Sequence, residues 1–155
     1  MDPVFKKMNF KAHEHILVLN APDSFNENMK AMNGLTNFYN DPEQLKSIVF
    51  VIAFVTKQAE IDELVPLLVP RLEGDALVWL CYPKGTSRNY QCDFNRDTGW
   101  QIMGDYGLEG VRMVAVDQDW SALRFRKVAF IKTMKRREGF ALSKEGKRKA
   151  GQKEK

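Results

Sequence analysis

The chain has 155 residues, 44% apolar and 28% charged, with a formal net charge of +4, the balance of one globular domain with room for a real core. The charge is uneven: residues 131–155 carry ten Lys/Arg against three Glu, a net +7, whereas residues 1–130 are net −3, so the overall basicity says nothing about a basic groove on the folded body. Two cysteines, Cys81 and Cys92, make neither a disulfide framework nor a CxxC site.

Met1 to Phe10 reads as a lead-in with one loose helical turn (Val4, Phe5, Met8) and no secretory h-region. The longest apolar run, Ile48 to Val55, has eight residues against the ~20 that a membrane helix needs, so a cytoplasmic protein with no membrane partner is expected. Ile16–Leu19 is the first predicted strand, ended by Asn20-Ala21-Pro22-Asp23 because proline cannot donate to a ladder. Ser24-Phe25-Asn26-Glu27 has the capping-box pattern, with Phe25, Met29 and Met32 as one helical stripe up to Gly34.

Thr36–Tyr39 is a short edge-strand candidate. Asp41-Pro42-Glu43-Gln44 follows as an N-cap with proline at the first helical position. Ile48–Val55 is the most β-like run, and Thr56 is the expected cap of a helix whose apolar stripe is Ile61, Leu64, Val65, Leu68, Val69 and Leu72. Pro66 and Pro70 interrupt that stripe without changing its phase, predicting one bent or broken helical segment, with Gly74 as its stop. The strand after it, Asp75 to Pro83, is apolar on both sides from Ala76 to Cys81, as a strand in the middle of a parallel sheet is. Asn95 is the expected cap of a helix containing Trp100, Ile102, Met103 and Tyr106, with Gly107 as its left-handed stop. Val111–Val116 and Ala122–Val128 flank Asp117 to Ser121 and predict an antiparallel hairpin.

Strands alternating with helices, closed by a hairpin, predict an α/β protein: a three-layer Rossmann-like open sheet, mostly parallel, of reduced methyltransferase-like topology. Right-handed crossovers and an inserted return strand give the strand order 2-1-3-4-6-5. Residues 1–130 form the single expected domain, and 131–155 a basic, largely disordered tail.

Three strings resemble a known group: Leu19-Asn20-Ala21-Pro22, Pro83-Lys84, and Asp117-x-Asp119-Trp120-Ser121-Ala122-Leu123-Arg124-Phe125. Together they look like domain-of-unknown-function family 3052, small bacterial Rossmann-like proteins, over roughly residues 4–128. The resemblance implies a fold and a bacterial cytoplasmic origin, and it brings no activity, cofactor or catalytic residue.

Ligands of open α/β sheets sit beyond the carboxyl ends of the strands. The turn after the first strand lacks the glycines of a dinucleotide or S-adenosylmethionine site, and Asp23 places an acid where a phosphate would approach. Asp41 stands about twenty residues further on, where a ribose-binding acid would be, but an N-cap explains it equally. Lys84-Gly85-Thr86-Ser87 lacks the upstream glycine of a P-loop, yet its amides and ammonium can bind an anion; an ordinary solvated loop is the plainer reading. His13 and His15 share one side of a strand at its amino end, with no third ligand in prospect, and no metal is expected.

The candidate site is therefore Asn20, Lys84, Thr86, Ser87, Asp117, Asp119, Trp120 and Ser121. In this arrangement Trp120 is an indole wall facing Lys84, and Asp117 or Asp119 holds the lysine when no ligand is bound. The plainer account makes the acids and Ser121 turn-stabilisers and Trp120 a cover for the sheet end. The reading is a non-enzymatic binding or regulatory protein, without cofactor, that takes a small anion or a protein partner at this edge. The alternative is a degenerate S-adenosylmethionine- or nucleotide-binding enzyme of methyltransferase type. Nucleic acid is expected to bind only weakly and non-specifically, through the tail.

Overall fold

The computed structural model describes residues 1–94 and 98–131. The expected Asn95 cap and the basic stretch from Lys132 lie outside the described residues. In chain order the elements are α1 (Pro3–Lys7), β1 (His15–Leu19), α2 (Asn26–Lys30), β2 (Asn37–Tyr39), β3 (Ile48–Phe54), α3 (Gln58–Leu68), β4 (Leu72–Pro83), α4 (Gln101–Asp105), β5 (Leu108–Ala115) and β6 (Trp120–Lys127). The six strands form one sheet in the order β2-β1-β3-β4-β6-β5. β1 through β4 are mutually parallel, and β6 runs antiparallel between β4 and β5. The expected fold and order stand.

Alternation along the central strands divides the core in two. Val51, Val78, Leu80 and Phe125 pack against Ile61 and Val65 of α3 and Met103 of α4. On the other face Phe50, Phe54, Trp79 and Trp120 pack against Phe5 and Met8 of the first segment and against Phe25. Each fully buried aromatic contributes about 1.5–3 kcal/mol relative to exposure. The lead-in is thus a structural element. Asp2 accepts from the amides of Val4 and Phe5 at 2.9 and 3.1 Å, and Trp79 Nε1 donates to the Met8 carbonyl at 3.0 Å.

Several local expectations change. Ser24 caps nothing: the chain enters a 3-10 turn at Asp23 (Asp23–Phe25) that runs into α2, and neither segment has a side-chain cap. Ser24 is therefore already inside a helical turn, where an N-cap must be extended. Thr56 does not cap α3 either. Glu60 reaches back to accept from the Thr56 and Lys57 amides (2.8 and 3.0 Å) and from the Thr56 hydroxyl (3.1 Å). The bent segment is as expected: Pro66 lies inside α3, and a 3-10 turn with Pro70 (Val69–Arg71) continues it.

Leu72, assigned by periodicity to that helix, instead begins β4 and pairs with Ile48, while Leu77 pairs with Phe50. The extra residues form an irregularity in which Gly74 takes φ +59°, a left-handed geometry that glycine adopts without strain. β6 begins earlier than expected because Pro83 pairs with Trp120 and extends the ladder into the presumed loop, and β5 begins earlier because Leu108 to Gly110 pair with Lys127 to Phe125. No helix among the described residues is long and apolar enough to cross a membrane.

Candidate functional site

The carboxyl ends of β1, β3 and β4 share one edge of the sheet, and the β5–β6 turn lies on that edge beside the end of β4. The turn is built by Asp117, whose carboxylate accepts from the amides of Asp119 (2.8 Å) and Trp120 (2.9 Å). This is the local acid-to-backbone bond that makes aspartate a turn residue. Next to it the segment leaving β4 folds back. The Lys84 amide donates to the Asp119 carbonyl at 2.7 Å. Ser87 Oγ donates to Asp119 Oδ1 at 2.8 Å, and Asn89 Nδ2 donates to Oδ2 at 3.1 Å. The Lys84 and Trp120 loops therefore adjoin, as their topology requires.

The far end of that segment is tied to α3. The Asp93 amide donates to the Thr56 carbonyl at 3.2 Å, and Asp93 Oδ1 accepts from the Gln58 amide at 2.7 Å. With Glu60 covering the preceding amides, carboxylates already occupy the start of α3, so no anion is drawn there.

Between the two anchors lies an open cleft of about 920 Å³. Tyr82, Phe94 and Met113 give it apolar walls; Lys84, Thr86 and Ser121 give it polar groups. Tyr82 OH lies 3.6 Å from Met113 Sδ, and the ring of Tyr82 stands 6.0 Å from that of Phe94. The lining is mixed, with the Asp93 carboxylate as well as the Lys84 ammonium among its polar groups, and a concave site with apolar side chains and a few charged groups can hold a small molecule. Cys92 also lines the cleft, and burial pushes its thiol up, so it is not an activated nucleophile.

The expected site residues part company here. Lys84, Thr86, Ser87 and Ser121 line the cleft, and among the described residues the Lys84 ammonium has no ion-pair partner. Neither acid holds it: Asp117 serves the turn amides, and Asp119 is bonded to Ser87 and Asn89. Trp120 is not a wall of the cleft. It is 3% exposed on the opposite face, stacked on Phe54 (5.1 Å) and Tyr90 (4.8 Å), its Nε1 without an acceptor among the described residues. Trp120 and Ser121 are consecutive in a strand, so their side chains leave opposite faces. That alternation was legible as soon as Trp120 is known to be in β6.

Asn20 does not line the cleft. It takes φ +58° at the end of β1, the left-handed geometry that a glycine supplies in nucleotide-binding turns and that asparagine tolerates best among other residues. Sequence reasoning missed Tyr82, Phe94 and Met113. Tyr82 is in the alternation of β4, whereas Met113 faces the cleft only through its register with Leu123. His13 and His15 serve packing: His13 stands edge-on to Phe50 at 5.0 Å, burial lowering its pKa, and His15 stands against Tyr39 at 5.4 Å. Among the described residues no three His, Cys, Asp or Glu side chains are grouped to hold a metal.

No protein-family model matches this chain, and no curated protein matches it in sequence. Solved structures do resemble it. A candidate type 11 methyltransferase from Sulfolobus solfataricus superposes with a TM-score of 0.50 and 7% identity, over 86% of this chain and 92% of that one. A SAM-dependent methyltransferase from Aquifex aeolicus gives 0.48 with 12% identity, over 80% of this chain and 87% of that one. The fibrillarin pre-rRNA processing protein of Methanococcus jannaschii gives 0.49 with 12% identity, over 76% and 67%. At such identities the likeness concerns the fold. It is Rossmann-like.

Proposed function

We propose that this chain is a small-molecule-binding domain of methyltransferase-type architecture whose ligand lies in the cleft beyond β4. The observation that carries the reading is a Lys84 ammonium with no ion-pair partner among the described residues, in a cleft on the carboxyl edge that Tyr82, Phe94 and Met113 also line. A ligand with an apolar or aromatic body and one anionic end fits it, the body against Tyr82, Phe94 and Met113 and the charge at Lys84. The family-3052 resemblance is part of this proposal: its Pro83-Lys84 string opens the cleft loop, and its Trp120–Phe125 string is β6.

Methyl transfer is the second reading, and the methyltransferase-type strand order favours it over a non-catalytic role. Asn20 supports it by giving the first turn its left-handed geometry without glycine. Asp23 opposes it, since its carboxylate stands in the first turn beyond β1. We assign no catalytic residue.

The test is thermal unfolding with S-adenosylmethionine, S-adenosylhomocysteine, nucleotides, acyl-CoAs and simple phosphates. A ligand at about 100 times its dissociation constant stabilises by about 2.7 kcal/mol, which raises Tm by roughly 5–10 °C at this chain length. Lys84→Ala is expected to abolish that rise with the unliganded Tm unchanged. A rise with S-adenosylmethionine or its demethylated product favours methyl transfer; a rise with another anion favours binding alone. If no ligand at ~1 mM moves Tm by more than about 1 °C, no member of the panel binds tighter than ~10 µM and the reading fails.

A further inference from the structure

A second charged cluster lies on the other face of the sheet. Arg124 pairs in register with Trp79 of β4 and with Arg112 of β5, so the three side chains leave the same face, that of Trp79 and Phe5. Arg112 and Arg124 are like charges directly opposite each other, an arrangement that destabilises a sheet unless something answers it. Arg126, two residues on, is already answered. Its guanidinium binds Asp75 in a fork, Nε to Oδ1 at 2.9 Å and Nη2 to Oδ2 at 2.7 Å. Glu109 also stands opposite Arg126 in register. Asp75 is bound to Arg126 and acts on Arg124 only at a distance, and among the described residues no ion pair joins an acid to Arg112 or Arg124.

Arg124 Nε is buried and has no hydrogen-bond partner among the described residues. Burial, then Arg126 and then, behind the opposing pull of Asp75, Arg112 act against its charge. This Nε–H is a donor without an acceptor, and an unmatched buried donor keeps its full desolvation cost, while the Arg124 side chain as a whole is only partly buried. Arg112 is exposed, so the pair is open to solvent on that side.

We propose that Arg112 and Arg124 form an oxyanion site for a phosphate dianion, either inorganic phosphate or the terminal group of a phosphate monoester. Two guanidiniums match the nearly doubly negative charge of such a group at neutral pH, and their planar forks match its oxygens. The site is independent of the cleft: it uses the opposite face of β6 and none of the cleft residues.

The test uses the full chain carrying Lys84→Ala, so that the cleft does not report. Inorganic phosphate is titrated at constant ionic strength against chloride, with Tm and the Arg Nε–H signals in ¹⁵N spectra as readouts. The expected result is a saturable rise in Tm with a shift of the Arg124 Nε–H signal. The half-saturating concentration should rise about tenfold or more in Arg124→Gln and in Arg112→Gln, as loss of a charge-assisted bond implies. Without phosphate, Arg124→Gln should melt at or above the parent, since it removes the like-charge pair. Arg124→Lys serves where Gln does not fold. It keeps the charge, loses the fork, and should still weaken binding. Tighter binding of a phosphate monoester than of phosphate identifies a larger ligand's end group; equal binding identifies free phosphate. An unmoved Arg124 Nε–H signal, or equal rises in parent and variants, overturns the proposal.

Discussion

Asp119→Ala removes the side-chain hydrogen bonds that join the β5–β6 turn to the segment leaving β4. In the folded chain Asp119 accepts from Ser87 Oγ at 2.8 Å, a partly buried bond, and from Asn89 Nδ2 at 3.1 Å, an exposed one. A hydrogen bond to a charged group contributes about 1.5–3 kcal/mol when shielded, and an exposed one only a few tenths to 1 kcal/mol. Together they set an expected loss of about 2 kcal/mol, or roughly 4–8 °C in Tm at this size. Ser87 Oγ is itself the acceptor for the Asn89 and Tyr90 amides (3.3 and 3.2 Å), so its release should loosen the whole turn. Urea denaturation gives the global cost. Amide exchange at Lys84 and Tyr90 gives the local one, because Lys84 donates to the Asp119 carbonyl at 2.7 Å. Asp119→Asn keeps an acceptor for Ser87 and should recover about half of the loss. A global loss below about 0.5 kcal/mol together with unchanged protection at both amides would refute the bracing role.

Further substitutions test other parts of the argument. Asn20→Gly should leave stability within about 0.5 kcal/mol, whereas Asn20→Val should cost about 1–2 kcal/mol in a urea titration, because φ is +58° there; equal costs would mean the turn relaxes. Gly99→Ala combines φ +88° with a Cβ placed 2.7 Å from Phe94 Cβ and 2.8 Å from Gln58 Oε1. It should cost about 2–5 kcal/mol and displace Phe94 from the cleft wall, and a normal melt would contradict the packing described. Ser24→Ala should change stability by less than about 0.5 kcal/mol, since Ser24 caps nothing; a loss near 1 kcal/mol would restore the capping box. Asp75→Asn should cost about 0.5–1 kcal/mol at neutral pH. The hydrogen bond from Arg126, aided by its charge and opposed by burial, holds the Asp75 carboxyl below its ordinary 3.8. A depressed folded pKa stabilises above the unfolded value and stops doing so as pH falls through the folded one. The gap between parent and Asp75→Asn should therefore close below about pH 4; a gap that persists at pH 2 would exclude the ion pair as its source.

The sequence by itself determined the order of elements and the topology. Ile48–Phe54 and Ala76–Cys81 are apolar on both sides, which only a sheet covered on both faces can bury. Right-handed crossovers and the short Asp117–Asp119 turn then leave few ways to order the strands. The sequence also brought Lys84 and Trp120 to one edge, because each lies at an end of strands whose pairing the hairpin dictates. Three things were decided by the tertiary structure. Helix ends went to whichever group reached the amides first: Glu60 rather than Thr56, and none at Ser24. Strand limits went to the partner strand, since pairing with Ile48 pulled Leu72 out of a helical stripe and pairing with Pro83 pulled Trp120 out of a loop. The composition of the candidate site followed from those limits. Once Trp120 is in β6, the pleat sends its indole into one core and Ser121 into the cleft on the other face, a one-residue distinction that turns on register. Register depends on residues far apart in the chain, and no local pattern around Trp120 contains it.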